Sequence, residues 1–180
     1  MKIKHWFTFG CWFVVSLTTA QNSVFDLNFE FQAYPTGLIP GLRLEKGFAG
    51  KHALHLRGGY QLIDHRDLGK HDDETGQGYG FTAGYKRYFK EEFKGFHLGL
   101  RNDIWFNTIE WTTNAPPSKG TTKIVVLQPT AEAGWLFLFG SHFTLTPSLA
   151  LGYEINVKTE GEPTGEGMIL LIGLQTGYRF

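Results

Sequence analysis

From residue 24 to the end of the chain, apolar side chains recur at every second position in eight separate runs, and the alternate positions are polar or small. An extended strand sends successive side chains to opposite faces, so this period of two specifies β-strands with two unlike environments and leaves no room for helices. The last run shows the pattern. Met168, Leu170, Ile172, Leu174, Thr176, Tyr178 and Phe180 make one face, and Ile169, Leu171, Gly173, Gln175, Gly177 and Arg179 make the other. A strand this long needs a neighbour on each edge, and a sheet closed on itself supplies both.

The runs cover residues 24–34, 38–46, 52–62, 79–89, 96–111, 123–139, 143–158 and 167–180. Polar stretches at 63–78, 112–122 and 159–166 break the alternation and read as long loops, whereas 35–37, 49–51, 90–95 and 140–142 read as tight turns. Past the first hairpin, short and long connections alternate. Three prolines (Pro40, Pro129, Pro147) fall on the apolar rows, where a missing N–H predicts β-bulges, and Asn102 interrupts the apolar row of the fifth run, also read as a bulge. Arg87 is a charged residue on the apolar row of the fourth.

The segment before the first run has a different logic. Lys2 and Lys4, the apolar stretch from Trp6 to Leu17 and the small residues Thr18-Thr19-Ala20 predict a signal peptide over residues 1–20, with the mature domain at 21–180. Cys11 lies in that leader. The whole chain balances 17 Lys+Arg against 17 Asp+Glu; losing the leader removes two lysines and no acid, leaving 15 against 17. Such a near-neutral chain lacks the basic footprint of a nucleic-acid binder. No later apolar run is long enough for a membrane helix, but alternating strands of nine or more residues suit a membrane barrel.

Three features predict that the apolar face points to lipid. Gly41, Gly59, Gly80, Gly84, Gly99, Gly134, Gly152, Gly173 and Gly177 crowd the opposite face, as a narrow interior requires. Aromatics gather at the strand ends: Phe25, Phe89, Phe96, Phe137, Phe139, Phe143, Tyr178 and Phe180 at the end of the short turns, Tyr60, Tyr79, Phe106 and Tyr153 at the other. The strand length matches the hydrocarbon thickness. The expected fold is an all-β, closed, eight-stranded, antiparallel up-and-down transmembrane β-barrel. Arg43, Arg57, Lys86, Arg101 and Arg179 then share the lumen with Asp26, Glu30, Glu45, Asp103, Glu132 and Glu154, and buried ions of both signs predict a paired network that fills it. Arg179 is expected to meet Asp26 across the closure.

The eight alternating strands, the long outer loops and the terminal Tyr178-Arg179-Phe180 resemble the small outer-membrane barrels of the OmpA, OmpX and OmpW kind, and the Ala20/Gln21 junction with the aromatic-rich strands is similar to their Bacteroidota versions. Gln175 stands where the terminal signal of such barrels often carries glycine. The resemblance implies the outer membrane of a Gram-negative cell, contact with membrane lipid and lipopolysaccharide, and assembly by the barrel-assembly machinery through the C-terminal strand. It also implies outer-membrane protein partners and a non-catalytic role in envelope integrity, surface interaction or an outer-membrane complex. The alternative is an OmpW-like conduit or binding protein for small hydrophobic molecules, with Ile39, Trp105, Ile109, Val126, Ile169 and Leu171 lining a pocket in the upper lumen.

Residues suited to chemistry are sparse. The stretch from His65 to Gly76 holds two histidines and several carboxylates, but its spacing matches no calcium or zinc pattern, and Arg66 and Lys70 oppose a cation. Ser141-His142 juxtaposes a nucleophile and a base type, as a lipid A-modifying barrel enzyme would need, but in a turn and without the rest of a triad. His55 and His97 are expected to be lumen fillers, with Trp105 packed among them. No catalytic, metal or cofactor residues are expected.

Overall fold

The computed structural model describes residues 23–66 and 70–180. The expected leader, and Asp67, Leu68 and Gly69, lie outside the described residues. Eight antiparallel strands form a closed barrel in chain order: β1 (Phe25–Tyr34), β2 (Gly37–Phe48), β3 (His52–Arg66), β4 (Asp73–Tyr88), β5 (Gly95–Asn114), β6 (Pro117–Phe139), β7 (Phe143–Glu160) and β8 (Gly167–Arg179). The ring closes where β8 pairs β1 from Asp26↔Arg179 to Ala33↔Ile172, so the last strand has a partner on both edges.

Side-chain parity follows the sequence. The apolar rows point outward and stay exposed, Leu56 by 63%, Leu100 by 67% and Ile172 by 60%, while the polar rows are buried. A continuous exposed belt of Leu, Phe, Ile and Tyr is untenable in water and is the surface a bilayer requires. Aromatic contacts mark its two margins. Phe25–Phe180, Phe89–Phe96, Phe139–Phe143 and Tyr178–Phe180 (ring centroids 5.0–6.0 Å apart) line the end with the tight turns, and Tyr79–Phe106 (5.3 Å) lies at the opposite margin.

Three expectations are corrected. The stretches 63–78 and 112–122 are mostly strand: β5 and β6 stay in register up to Asn114↔Pro117, joined at Ala115-Pro116, and β3 and β4 up to Arg66↔Asp73. Their polar alternation belongs to a hairpin standing in water, where neither face needs apolar residues. The barrel is therefore lopsided, with β1 of 10 residues against β5 of 20 and β6 of 23. Second, the prolines leave local gaps in the pairing with unchanged register on either side, as between Leu38↔Leu62 and Gly41↔Gly59; the single shift on β6/β7 is at Val125/Val126. Third, Asn102 pairs regularly with Ala83 and Pro129, so its amide faces outward with no bulge.

Candidate functional site

The lumen is closed at three heights. At the turn end, the β4–β5 turn folds inward: Phe93, at φ 50°, is buried beside Tyr88, Ala53 and Leu136, and a Cβ on Gly47 would lie 2.6 Å from its ring. Arg179 holds this plug. Its guanidinium donates to both Asp26 carboxylate oxygens (2.8 and 2.7 Å) and to the carbonyls of Glu92 and Phe93 (3.0 Å each). The bidentate geometry suits arginine better than lysine.

Above it, Arg43, Arg57, Lys86 and Arg101 interlock with Glu30, Glu45, Asp103 and Glu132. Arg43 reaches Glu30 at 2.8 Å and Glu132 at 3.4 Å, and Arg101 reaches Glu132 at 3.0 Å and Asp103 at 3.2 Å. Arg57 meets Glu30 at 3.1 Å, and Lys86 meets Glu45 at 2.8 Å. Tyr88 donates to Glu45 (2.6 Å), Gln32 to Glu30 (2.6 Å), and Thr82 bonds Asp103. Four cations face four carboxylates, which is how charge survives outside water. The expected network and the Arg179–Asp26 contact are present; Glu154 stands apart from it, half-buried near the outer mouth. His55 and His97 fill space over Gly84 and Gly134, whose Cβ atoms would fall 2.4 and 2.7 Å from the rings.

Towards the outer end the lumen turns apolar. Ile39, Trp105, Ile109, Val126, Ile169 and Leu171 belong to one buried cluster, none more than 5% exposed. These six, the expected lining of a pocket, pack on one another, and Ile169 also borders a cavity of about 260 Å³ beside Tyr34, His65 and Glu154. Trp105 covers the backbone of Gly80 and Gly59, donates to Gln128 (3.1 Å) and carries the Arg57 guanidinium 5.7 Å from its ring.

Outside the belt, the stretch flagged from His65 to Gly76 forms a carboxylate-centred knot. Fully buried Glu74 accepts from the backbone N–H of Lys70 (3.0 Å) and His71 (3.3 Å), and its oxygens lie 2.9 Å from His71 Nδ1 and 3.3 Å from His65 Nδ1. Burial pushes the Glu74 carboxyl up, but the His71, His65 and Lys70 hydrogen bonds outweigh it and hold its pKa below the usual value. His71 stacks on Trp111 at 4.2 Å, Trp111 donates to Thr122 (3.2 Å), and Asp72 accepts from the Asn114 N–H (2.6 Å). The histidines thus brace the β3–β4 and β5–β6 hairpins that extend beyond the belt as two arms, and no group of three or more His, Cys, Asp or Glu able to hold a metal ion occurs among the described residues.

At the other flagged pair, Ser141-His142, the histidine is engaged with the C-terminal strand. His142 donates from Nδ1 to the Arg179 carbonyl (2.8 Å) and stacks on Tyr178, so its ring is turned to β8. Sequence reasoning missed Phe93, whose signal is one aromatic residue in a turn otherwise made of Lys90, Glu91, Glu92 and Lys94.

A closed eight-stranded antiparallel barrel with a lipid-facing belt and a packed polar lumen is the architecture of small bacterial outer-membrane barrels of the OmpA/OmpX kind. Among solved structures, the N-terminal β-barrel domain of Pseudomonas aeruginosa OprF superposes with a TM-score of 0.50 at 16% identity, covering 89% of this chain and 99% of that one. Ail, the attachment invasion locus protein of Yersinia pestis, gives 0.49 at 13% identity over 88% and 96%; the Neisserial surface protein NspA gives 0.43 at 12% over 87% and 94%. These likenesses concern the fold. No family model and no curated protein matches the sequence.

Proposed function

We propose that the protein is a non-conducting, non-catalytic barrel of the bacterial outer membrane that acts through its exterior, as a surface-contact or accessory component. The closure of the lumen at three heights carries this reading: the Phe93 plug, the charged network and the Trp105 cluster lie in series along the axis. What remains to interact is the outside. The β5–β6 hairpin continues from the Tyr79–Phe106 margin to Asn114↔Pro117, about 26 Å of strand beyond the belt. Both chain ends of the barrel and the turns at 49–51, 90–95 and 140–142 then face the periplasm, and the arms and the 35–37 turn face the medium. Liposomes loaded with a small sugar test the reading. Vesicles carrying the folded protein are expected to leak no faster than empty ones; rapid equilibration of the sugar would overturn it.

A further inference from the structure

Between the two aromatic margins, the outward rows carry charge at only two described positions, Lys46 on β2 and Arg87 on β4. They are not scattered. Lys46 pairs Leu54, Arg87 pairs His52, and His52 and Leu54 are alternate residues of β3, so the two cations flank one strand at the turn end, diagonally about 12 Å apart by two strand spacings and a two-residue offset. Neither has a carboxylate partner among the described residues. His52 lies between them, stacked on Phe48 and hydrogen-bonded through Nδ1 to the Tyr85 hydroxyl.

A groove rises from Lys46, with Tyr85, the partner of His52, also in its wall and Arg87 just beyond its foot. It holds about 1050 Å³, and its walls include Leu44, Leu56, Leu100 and the small residues Ala83, Pro129 and Ala131, with Lys46 at its foot. The small residues on β4 and β6 recess the surface between taller leucines.

We propose that this groove is a binding site for an anionic glycerophospholipid of the leaflet at the turn end, its phosphate held by Lys46, Arg87 and His52 and its acyl chains lying along Ala83 and Ala131. Charge complementarity fixes the occupant. An unpaired lysine and arginine at the edge of a hydrocarbon belt need anionic partners, and the phosphodiester is the anion available there, with arginine and lysine supplying the phosphate contacts. A neutral lipid would fill the groove but leave both cations unmatched. A lipid of the opposite leaflet would place its headgroup at the Tyr79–Phe106 margin, away from them. The inference rests on the reading of the belt as membrane-embedded.

Native mass spectrometry of the folded protein in mild detergent tests it, with phosphatidylglycerol and a diacylglycerol of the same acyl chains as probes. The wild type is expected to retain one phosphatidylglycerol, with diacylglycerol held about tenfold more weakly, and the double variant K46Q/R87Q is expected to lose about tenfold for phosphatidylglycerol only. Both substitutions are on the outside of the barrel, and retained far-UV circular dichroism checks the fold. A second variant, Ala131→Trp, should fill the groove and weaken both lipids. No retained lipid, equal retention of the two lipids, or undiminished binding by K46Q/R87Q would overturn the proposal. Detergent has no leaflets and the readout involves no conduction, so this result is independent of whether the lumen is closed or which end faces the periplasm.

Discussion

At the scale of single residues, the lumen is built by pairing large side chains with glycines. A Cβ on Gly80 would lie 2.2 Å from the Trp105 ring, whereas one on outward Gly58 would meet nothing within 4 Å. Gly80→Ala is therefore expected to destabilise the barrel by about 1–3 kcal/mol, as overpacking does, and Gly58→Ala to stay within about 0.5 kcal/mol. Urea unfolding of the two variants in lipid vesicles compares them directly, and equal stability would refute the packing of Trp105 on β4. Arg179 has a different role. Removing it as Arg179→Ala leaves Asp26 buried without its partner and frees the carbonyls of the Phe93 turn, a loss of about 3–5 kcal/mol. Limited proteolysis should then cut the turn at 90–95, which the wild type protects.

At the scale of elements, the arms depend on Glu74. Its carboxyl pKa is held below the usual 4.5, so the ionised form is favoured in the folded arm. The stabilisation is fully present above that ordinary value and is lost as pH falls through the lower folded pKa. The hydrogen-exchange protection factors of residues 108–122 should accordingly fall as the pH drops through that lowered pKa, and Glu74→Gln should lower them already at pH 7. Exchange that ignores both changes would disprove the knot. The arms also show what the sequence could not reveal. Within the belt, lipid on one side and a packed lumen on the other force a strict alternation, so strand direction, facing and the Asp26–Arg179 closure are readable residue by residue. At the tip of the β5–β6 arm both faces meet water, and Thr112, Thr113 and Thr121 look like loop although they are strand. Asn102 misled for the converse reason: a lone amide on an apolar row suggests a bulge, but the pairing runs through it unbroken. Phe93 was illegible because nothing in the sequence says that a turn folds back into the lumen.

At the scale of the whole molecule, the barrel is a closed cylinder with its variety on the outside: a tall wall at β5–β6, a low one at β1, and two cations below a lipid-side groove. The six residues that a hydrophobic conduit would use are packed against one another, and the ionic layer beneath them is closed by contacts of 2.8–3.4 Å. Shortening the β5–β6 arm to a two-residue turn after Thr112 should leave the barrel's melting temperature within a few degrees, because the belt contacts and the lumen cluster, Ile109 included, all lie below it. The most direct test of the closed lumen is a planar-bilayer recording from purified, refolded protein. The account predicts no stable conductance steps above the bare bilayer; reproducible, large, long-lived open levels would contradict it.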